Sequence, residues 1–184
     1  QVAAVAAQDN GSEIGPRLMR DPNVRAAVDS ARASEPELLE DQVSLCEIPA
    51  PTFMEAARAM AYRRLFVEVG LRNVRIDDVG NVLGERPGLA SRPHLVFTAH
   101  LDTVFPEGTD VRVTRDGTLM RGPGIGDDCR GLAVVLAVVR ALNRANVRTT
   151  GHITFVGTVG EEGPGDLRGV KRLFSETLVG QGDY

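Results

Sequence analysis

The sequence predicts an α/β domain of three layers, with a mixed, mainly parallel sheet between helices, and two observations predict it. Apolar residues alternate along the chain between helical spacing and strand spacing. The clearest strand segments are short, nearly continuous apolar runs separated by helical stretches, the pattern of strands covered on both faces and joined by crossovers. There is no internal repeat.

Residues 1–22 read as a flexible leader and residues 23–184 as the folded part. The start, Gln1 to Gln8, is rich in alanine and fits a signal-peptide remnant, though it lacks a basic n-region and a full apolar h-region. A periplasmic or secreted location is therefore one expectation and a cytoplasmic one the alternative. Asp9 to Pro22 mixes Gly, Ser, Asn, Pro and charge without periodicity. Glu35 to Ile48 carries Leu38, Leu39, Val43 and Leu45 at helical spacing and stops at Pro49 and Pro51. Thr52 and Glu55 have the spacing of a capping box, followed on one face by Ala56, Met60, Leu65 and Val69 until Gly70 ends the helix.

Val74, Ile76 and the run Val79 to Leu83, broken at Gly80-Asn81, predict strands, and Pro87-Gly88 a loop. His94 to Ala99 predicts a strand buried on both faces. Val111 to Arg115 and Thr118 to Arg121 predict a hairpin turning at Asp116-Gly117. A loop over Gly122 to Gly126 precedes an apolar helix from Leu132 to Ala145; Gly151 to Val159 predicts a buried strand, and Leu167 to Leu178 an amphipathic helix.

The 184 residues, 42% apolar, suffice for one sizeable core. With 25 acidic against 21 basic residues and a net charge of -4, and no long run of Lys or Arg, nucleic acid is excluded as the expected partner. The longest apolar run, Leu132 to Val139, is far short of the roughly 20 residues that cross a bilayer, so no membrane partner is expected. Cys46 and Cys129 form neither a disulfide framework nor a metal knuckle.

Three polar clusters lie at strand or loop ends, where open α/β sheets place their ligands. In His100-Leu101-Asp102, residues i and i+2 of an extended chain face one side, so Asp102 can accept the second ring N–H of His100 and free the other nitrogen for a metal. The plain reading is a surface histidine beside a turn aspartate. Asp127-Asp128 concentrates two carboxylates in a glycine-rich turn, which suits a divalent cation; the plain reading is a helix N-cap. The glycines lack dinucleotide-binding spacing. Glu161-Glu162 follows the last strand, where one carboxylate could bind a cation and the other hold a water; the plain reading is a solvated loop. Together the clusters would converge on one edge of one sheet. His94 and His152 begin strands with no acidic residue at useful spacing and read as structural, and Cys129 as a small buried thiol.

The segments TAHLDTVFP (98–106), GPGIGDDCRG (122–131) and GTVGEEGPGDLRG (157–169) resemble the ordered signatures of the co-catalytic zinc exopeptidase and deacylase family. That family includes peptidase T, glutamate carboxypeptidase, aminoacylase and succinyl-diaminopimelate desuccinylase. The likeness covers roughly residues 35 to 184 and implies the N-terminal part of a catalytic domain. It implies two zinc ions, with His100 and Glu162 as ligands of the first and Asp127 bridging both. It makes Glu161 the general base and Asp102 the partner of His100, the two residues assigned to catalysis. It further implies a cis peptide between Asp127 and Asp128.

The substrate implied is a small peptide or N-acyl amino acid, with aminopeptidase, carboxypeptidase and deacylase left open. One departure is Cys129-Arg130 where the family commonly has Lys-Gly. Another is the absence of a further acidic ligand, a distant histidine and the lid domain through which a homodimer would form. Asp183 is a candidate for the missing acid. The site is therefore expected to be incomplete at the C-terminus, binding zinc weakly and hydrolysing little. The alternative of a different class is a non-catalytic binding or structural module that retains the fold.

Overall fold

The computed structural model describes residues 11–184, so the expectation for the Ala-rich start lies outside the described residues. Four strands form the main sheet: β1 (Arg72–Ile76), β2 (Val82–Arg86), β3 (His94–His100) and β6 (His152–Thr158), in the order β1-β2-β6-β3. β1 and β6 both run antiparallel to β2, and β3 runs parallel to β6 in unbroken register from His94 opposite His152 to His100 opposite Thr158. The sheet is mixed as expected, but among the described strands only the β3–β6 pairing is parallel. A hairpin of β4 (Thr114–Asp116) and β5 (Leu119–Arg121) stands apart.

The helices are α1 (Gly11–Leu18), α2 (Pro22–Ala33), α3 (Glu35–Cys46), α4 (Ala56–Glu68), α5 (Cys129–Arg144) and the short α6 (Arg168–Arg172). The period of two in the strands sorts side chains between the faces of the sheet. On one face Val82, Ala99 and Phe155 pack against Ala59, Tyr62 and Phe66 of α4 and Leu132, Leu136 and Val139 of α5. On the other, Leu83, Val96 and Val156 pack against Leu173 and Leu178 beyond α6. Helices thus cover both faces, giving the three expected layers. α3 packs on the outside of α5 through Leu38 against Ala133 and Ala137.

Several elements differ from the sequence reading. Gly11–Leu18 is helical where the composition shows no periodicity, and its side chains from Glu13 onward are exposed. α2 follows Asp21, whose carboxylate accepts the N–H groups of Asn23 and Val24 at 2.7 and 3.3 Å, with Pro22 at the first helical position. α4 starts at Ala56, not Thr52, and Glu55 makes no capping bond. Its buried face runs through Ala59, Tyr62 and Phe66, leaving Met60 exposed. The stop at Gly70 is as expected, with φ +85°.

Between β1 and β2, Asp77 Oδ1 gathers the N–H groups of Val79, Gly80 and Asn81 into a tight turn, so the strand begins only at Val82. β3 is an outer strand of the described sheet, leaving Phe97 37% exposed instead of covered. The hairpin turns at Gly117-Thr118, one residue later than read, with Gly117 at φ +58°. The segment read as one helix over 167–178 is α6 followed by a wider π-helical turn, Leu173–Thr177.

After β6 the chain folds back against itself, and two glycines permit it. A Cβ on Gly165 would lie 2.5 Å from Gly160 Cα, and one on Gly169 would lie 2.5 Å from Val159 O and 2.4 Å from Asn81 Oδ1. Gly169 N also donates to Val159 O at 2.9 Å, so the backbones cannot separate without losing that bond. Gly169→Ala should therefore lower stability by about 3 kcal/mol in urea unfolding. Gly126→Ala, whose Cβ would meet nothing within 4 Å, should change it by less than about 1 kcal/mol.

Candidate metal centre

The parallel pairing of β3 with β6 puts the carboxyl ends of both strands on one edge of the sheet. His100 closes β3, Glu161-Glu162 follow β6, and Asp127 lies in the loop entering α5, so the three clusters converge there. His100 Nε2 is 2.9 Å from Asp127 Oδ1 and 3.9 Å from Glu161 Oε2. One ligand atom each from His100, Asp127 and Glu162 lie within 4.8 Å of one another, and among the described residues no other group of three such side chains could hold an ion. The peptide between Asp127 and Asp128 is cis, as the resemblance implies.

Asp102 lies underneath, with its side chain fully buried. Its Oδ1 accepts the N–H of Glu161 at 2.9 Å, and its Oδ2 accepts the N–H of Glu162 at 3.0 Å and the Thr52 hydroxyl at 3.0 Å. His100 Nδ1 lies 3.1 Å from the Asp102 carbonyl oxygen and 3.6 Å from its carboxylate. The expected pairing of the two side chains is thus a close electrostatic contact, with the nearer oxygen supplied by the backbone. Asp128 turns away from the cluster: its Oδ1 caps α5 through Gly131 N at 2.9 Å, and its Oδ2 accepts His100 N at 2.9 Å. Asp128 thus takes the cap role, and Asp127 is the member of the pair that joins the cluster.

The charges fit a cation. Burial works against a charged imidazole at His100, but the nearby Asp102 carboxylate, the negative charge of Asp128 and the hydrogen bond with Asp127 raise it to about 9. Burial also raises the Glu162 carboxyl, and the like charge of Asp127 adds to that. Burial pushes Asp102 up as well, yet the close approach of His100 and the hydrogen bonds from Glu161 N, Glu162 N and Thr52 outweigh it and hold the carboxyl at about 2. An edge that keeps a proton on a histidine and crowds carboxylates favours positive charge, and one imidazole with two carboxylates is a donor set suited to zinc.

Three residues around the cluster escape the sequence reading. Glu55, 3% exposed, accepts Gly160 N at 3.0 Å and pairs with Arg168 at 2.7 Å. Thr52, read as a cap, bonds to Asp102 instead. Arg58, 1% exposed, donates to Leu101 O at 2.7 Å and Ile48 O at 2.7 Å, joining the end of β3 to the turn after α3. A charge on the apolar face of α4 is the signal that could have marked Arg58, and one immediately before the helix is the signal for Glu55.

Asp183 is elsewhere. It pairs with Arg92, and its Oδ2 accepts His94 N at 2.8 Å, at the far end of β3, roughly 20 Å along the strand from His100. His94 and His152 share that end, ring against ring at 4.7 Å, consistent with structural roles. Cys129 is buried, as is Cys46, whose thiol donates to Pro123 O at 3.2 Å.

An α/β domain with an imidazole and carboxylates gathered at the carboxyl edge of its parallel strand pair is the class that the fold and site define. Residues 96–183 match the model of Peptidase family M20/M25/M40, and all three segments that carry the resemblance lie inside this match. Over that stretch the chain is similar to the M20/M25/M40 peptidases. An uncharacterized protein of Bacillus subtilis (strain 168), YqjE, is 33% identical over 166 residues, which are 82% of this chain and 43% of that protein. Carboxypeptidase G2 of Pseudomonas sp. (strain RS-16) is 33% identical over 84 residues, 45% of this chain and 20% of the enzyme. The crystal structure of a Staphylococcus aureus tripeptidase superposes with a TM-score of 0.65 at 30% identity, covering 77% of this chain and 40% of that one. The chain therefore spans less than half the length of each of these three proteins.

Because folding lowers the Asp102 carboxyl from its ordinary 3.8 to about 2, its contribution to stability, about 2 kcal/mol, is complete above pH ~4 and disappears as pH falls through about 2. Urea unfolding between about pH 6 and pH 2 should show a steeper acid loss for the native chain than for Asp102→Asn, which lacks the titrating group.

Proposed function

We propose that this chain forms the N-terminal part of the catalytic domain of a zinc-dependent exopeptidase or deacylase that hydrolyses an amide bond in a small peptide or N-acyl amino acid. The observation that carries the reading is the meeting of His100, Asp127 and Glu162 beside Glu161 at the carboxyl edge of β3 and β6. The peptidase activities for which the tripeptidase and carboxypeptidase G2 are named support it.

His100, Asp127 and Glu162 would hold the first ion and Asp127 would be shared with a second. Bound there, zinc supplies a Lewis acid for the scissile carbonyl and lowers the pKa of water. The protein's own part is proton handling. Glu161, 40% exposed, reaches solvent and lies outside the ligand triad, so its carboxylate is free to take a proton from the attacking water and return it to the leaving nitrogen. The N–H groups of Glu161 and Glu162 are both held by Asp102, so the base and its neighbouring ligand keep a fixed relation. His100 must give up its proton before it can bind a metal, which makes uptake weaker below about pH 9 and accompanied by proton release.

Calorimetric titration with zinc tests the ligand assignment. His100→Ala and Glu162→Gln should each lower affinity by about 100-fold or more, and Asp102→Asn by about tenfold to 100-fold. Glu161→Gln should leave zinc affinity within about threefold while abolishing hydrolysis wherever the parent shows it. Equal affinity in the native chain and His100→Ala would remove the ligand role.

A further inference from the structure

Cys46 ends α3 and Cys129 begins α5, and the fold buries both side chains completely. One short loop holds the two residues together. Cys46 Sγ donates to Pro123 O at 3.2 Å, and Cys129 N donates to the next carbonyl along the chain, Gly124 O, also at 3.2 Å. One turn before Cys46, Gln42 Nε2 donates to Ile125 O at 2.7 Å, so the end of α3 is fixed to this loop by two side chains. The thiols meet inside the arrangement: Cys129 is the foremost influence on the Cys46 proton, and Cys46 on that of Cys129. Neither sulfur belongs to the candidate metal cluster.

A buried guanidinium faces the pair. Arg58 donates through Nη2 to Cys46 O at 3.3 Å, and its other bonds, to Ile48 O and Leu101 O, also end on neutral carbonyls. Its charge acts on both sulfurs. The neighbouring Cys129 thiol and the Arg58 charge hold Cys46 below the ordinary thiol range, against burial and the Glu47 carboxylate, which work the other way. Cys46 is therefore the sulfur predisposed to attack, with Cys129 beside it as the second sulfur.

We propose that Cys46 and Cys129 are a redox pair that closes into an intramolecular disulfide, fastening the start of α5 to the end of α3 when a peroxide reaches them. Hydrogen peroxide, little larger than water, is the oxidant. Cys46 Sγ attacks one peroxide oxygen, the O–O bond breaks, and Cys46 becomes a sulfenic acid as one water leaves. Cys129 Sγ then attacks the Cys46 sulfur; the S–S bond forms, the S–O bond breaks, and the departing hydroxide leaves as a second water with the Cys129 proton. The thiol pair gives up two electrons, and the peroxide that accepts them is reduced to water. Cys129 lies two residues beyond Asp127, so the bond ties the loop that carries Asp127 to the outer helix layer and uses no residue of the cluster.

The test treats the metal-free chain with hydrogen peroxide, alkylates it in denaturant and measures its mass. Both thiols should resist alkylation, the chain should weigh two hydrogens less than its reduced form, and digestion should yield peptides joined through Cys46 and Cys129, with dithiothreitol reversing the change. The crosslink closes the long loop from Cys46 to Cys129, so the oxidised chain should unfold at a urea concentration roughly 1 M higher than the reduced chain. In Cys129→Ser, dimedone should trap a sulfenic acid at Cys46, with about tenfold less capture at Cys129 in Cys46→Ser. Thiols still open to alkylation after peroxide, disulfides formed only between chains, sulfinic acid in place of the crosslink, or an oxidised chain less stable than the reduced one would overturn the pair. Greater capture at Cys129 would overturn the assignment of Cys46 as the attacking sulfur. The mass and unfolding measurements use the unsubstituted chain, so they decide the proposal even if a serine variant fails to fold. Zinc is absent throughout, so the hydrolase reading stands or falls by its own titration.

Discussion

One buried carboxylate organises the candidate centre. Asp102 sits two residues beyond the end of β3, yet it holds the two successive amides that follow β6 and the hydroxyl of Thr52 before α4. Three chain segments distant in sequence meet on two oxygens. Each donor is an N–H or O–H that burial would otherwise leave unmatched, and the charge on the acceptor strengthens each bond. The acidic residues above it could not lie so close together, and so close to His100, if the loop carrying them were free to relax toward solvent. Electrostatic crowding at the edge is therefore maintained by hydrogen bonding below it.

The supports continue outward through α4. Glu55 holds Gly160, the residue just before the Glu161-Glu162 pair, and Arg168 neutralises it. Arg58 collects carbonyl oxygens from the end of β3 and the turn after α3. Both charges are buried with specific partners, the condition under which burial of an ion is tolerable. Asp128 completes the frame by binding the His100 amide while capping α5, so the helix start and the strand end share one side chain. The site residues are presented by a scaffold of polar contacts, whereas the apolar layers fix only the relation of helices to sheet.

That division explains how much was legible in the sequence. The strand runs of β3 and β6, the apolar stripe of α5 and the stops at Gly70 and Pro49 are local patterns, and they place two of the clusters at strand ends and Asp127-Asp128 at the start of α5. The grouping of His100, Asp127 and Glu162 followed from those ends and from the family likeness. α4 was misread because its buried face contains Arg58 and is preceded by the buried Glu55, and a search for apolar periodicity passes over charges and selects Ala56 and Met60 instead. Thr52 and Glu55 have the spacing of a cap, and no local rule says that their side chains bond to partners 50 and 105 residues away. The mainly parallel sheet was an inference from alternating elements; β2, which enters through a tight turn after β1, reverses two of the three pairings.

The unbroken register of β3 on β6 has a consequence for how such a chain can change over generations. Everything that must stay aligned is at the ends of these two strands, while the connection between them, residues 101–151, includes a detached hairpin and an exposed loop. Insertions and deletions in that hairpin alter length without moving His100 relative to the turn after β6. A single residue inserted within β3 reverses the facing of every strand residue beyond it, turning His100 from the Asp127 side of the sheet, and one within β6 does the same to the residues leading into Glu161-Glu162. Length variation among descendants of this sequence should therefore collect in the hairpin and be purged from the strands, whatever the side chains there become.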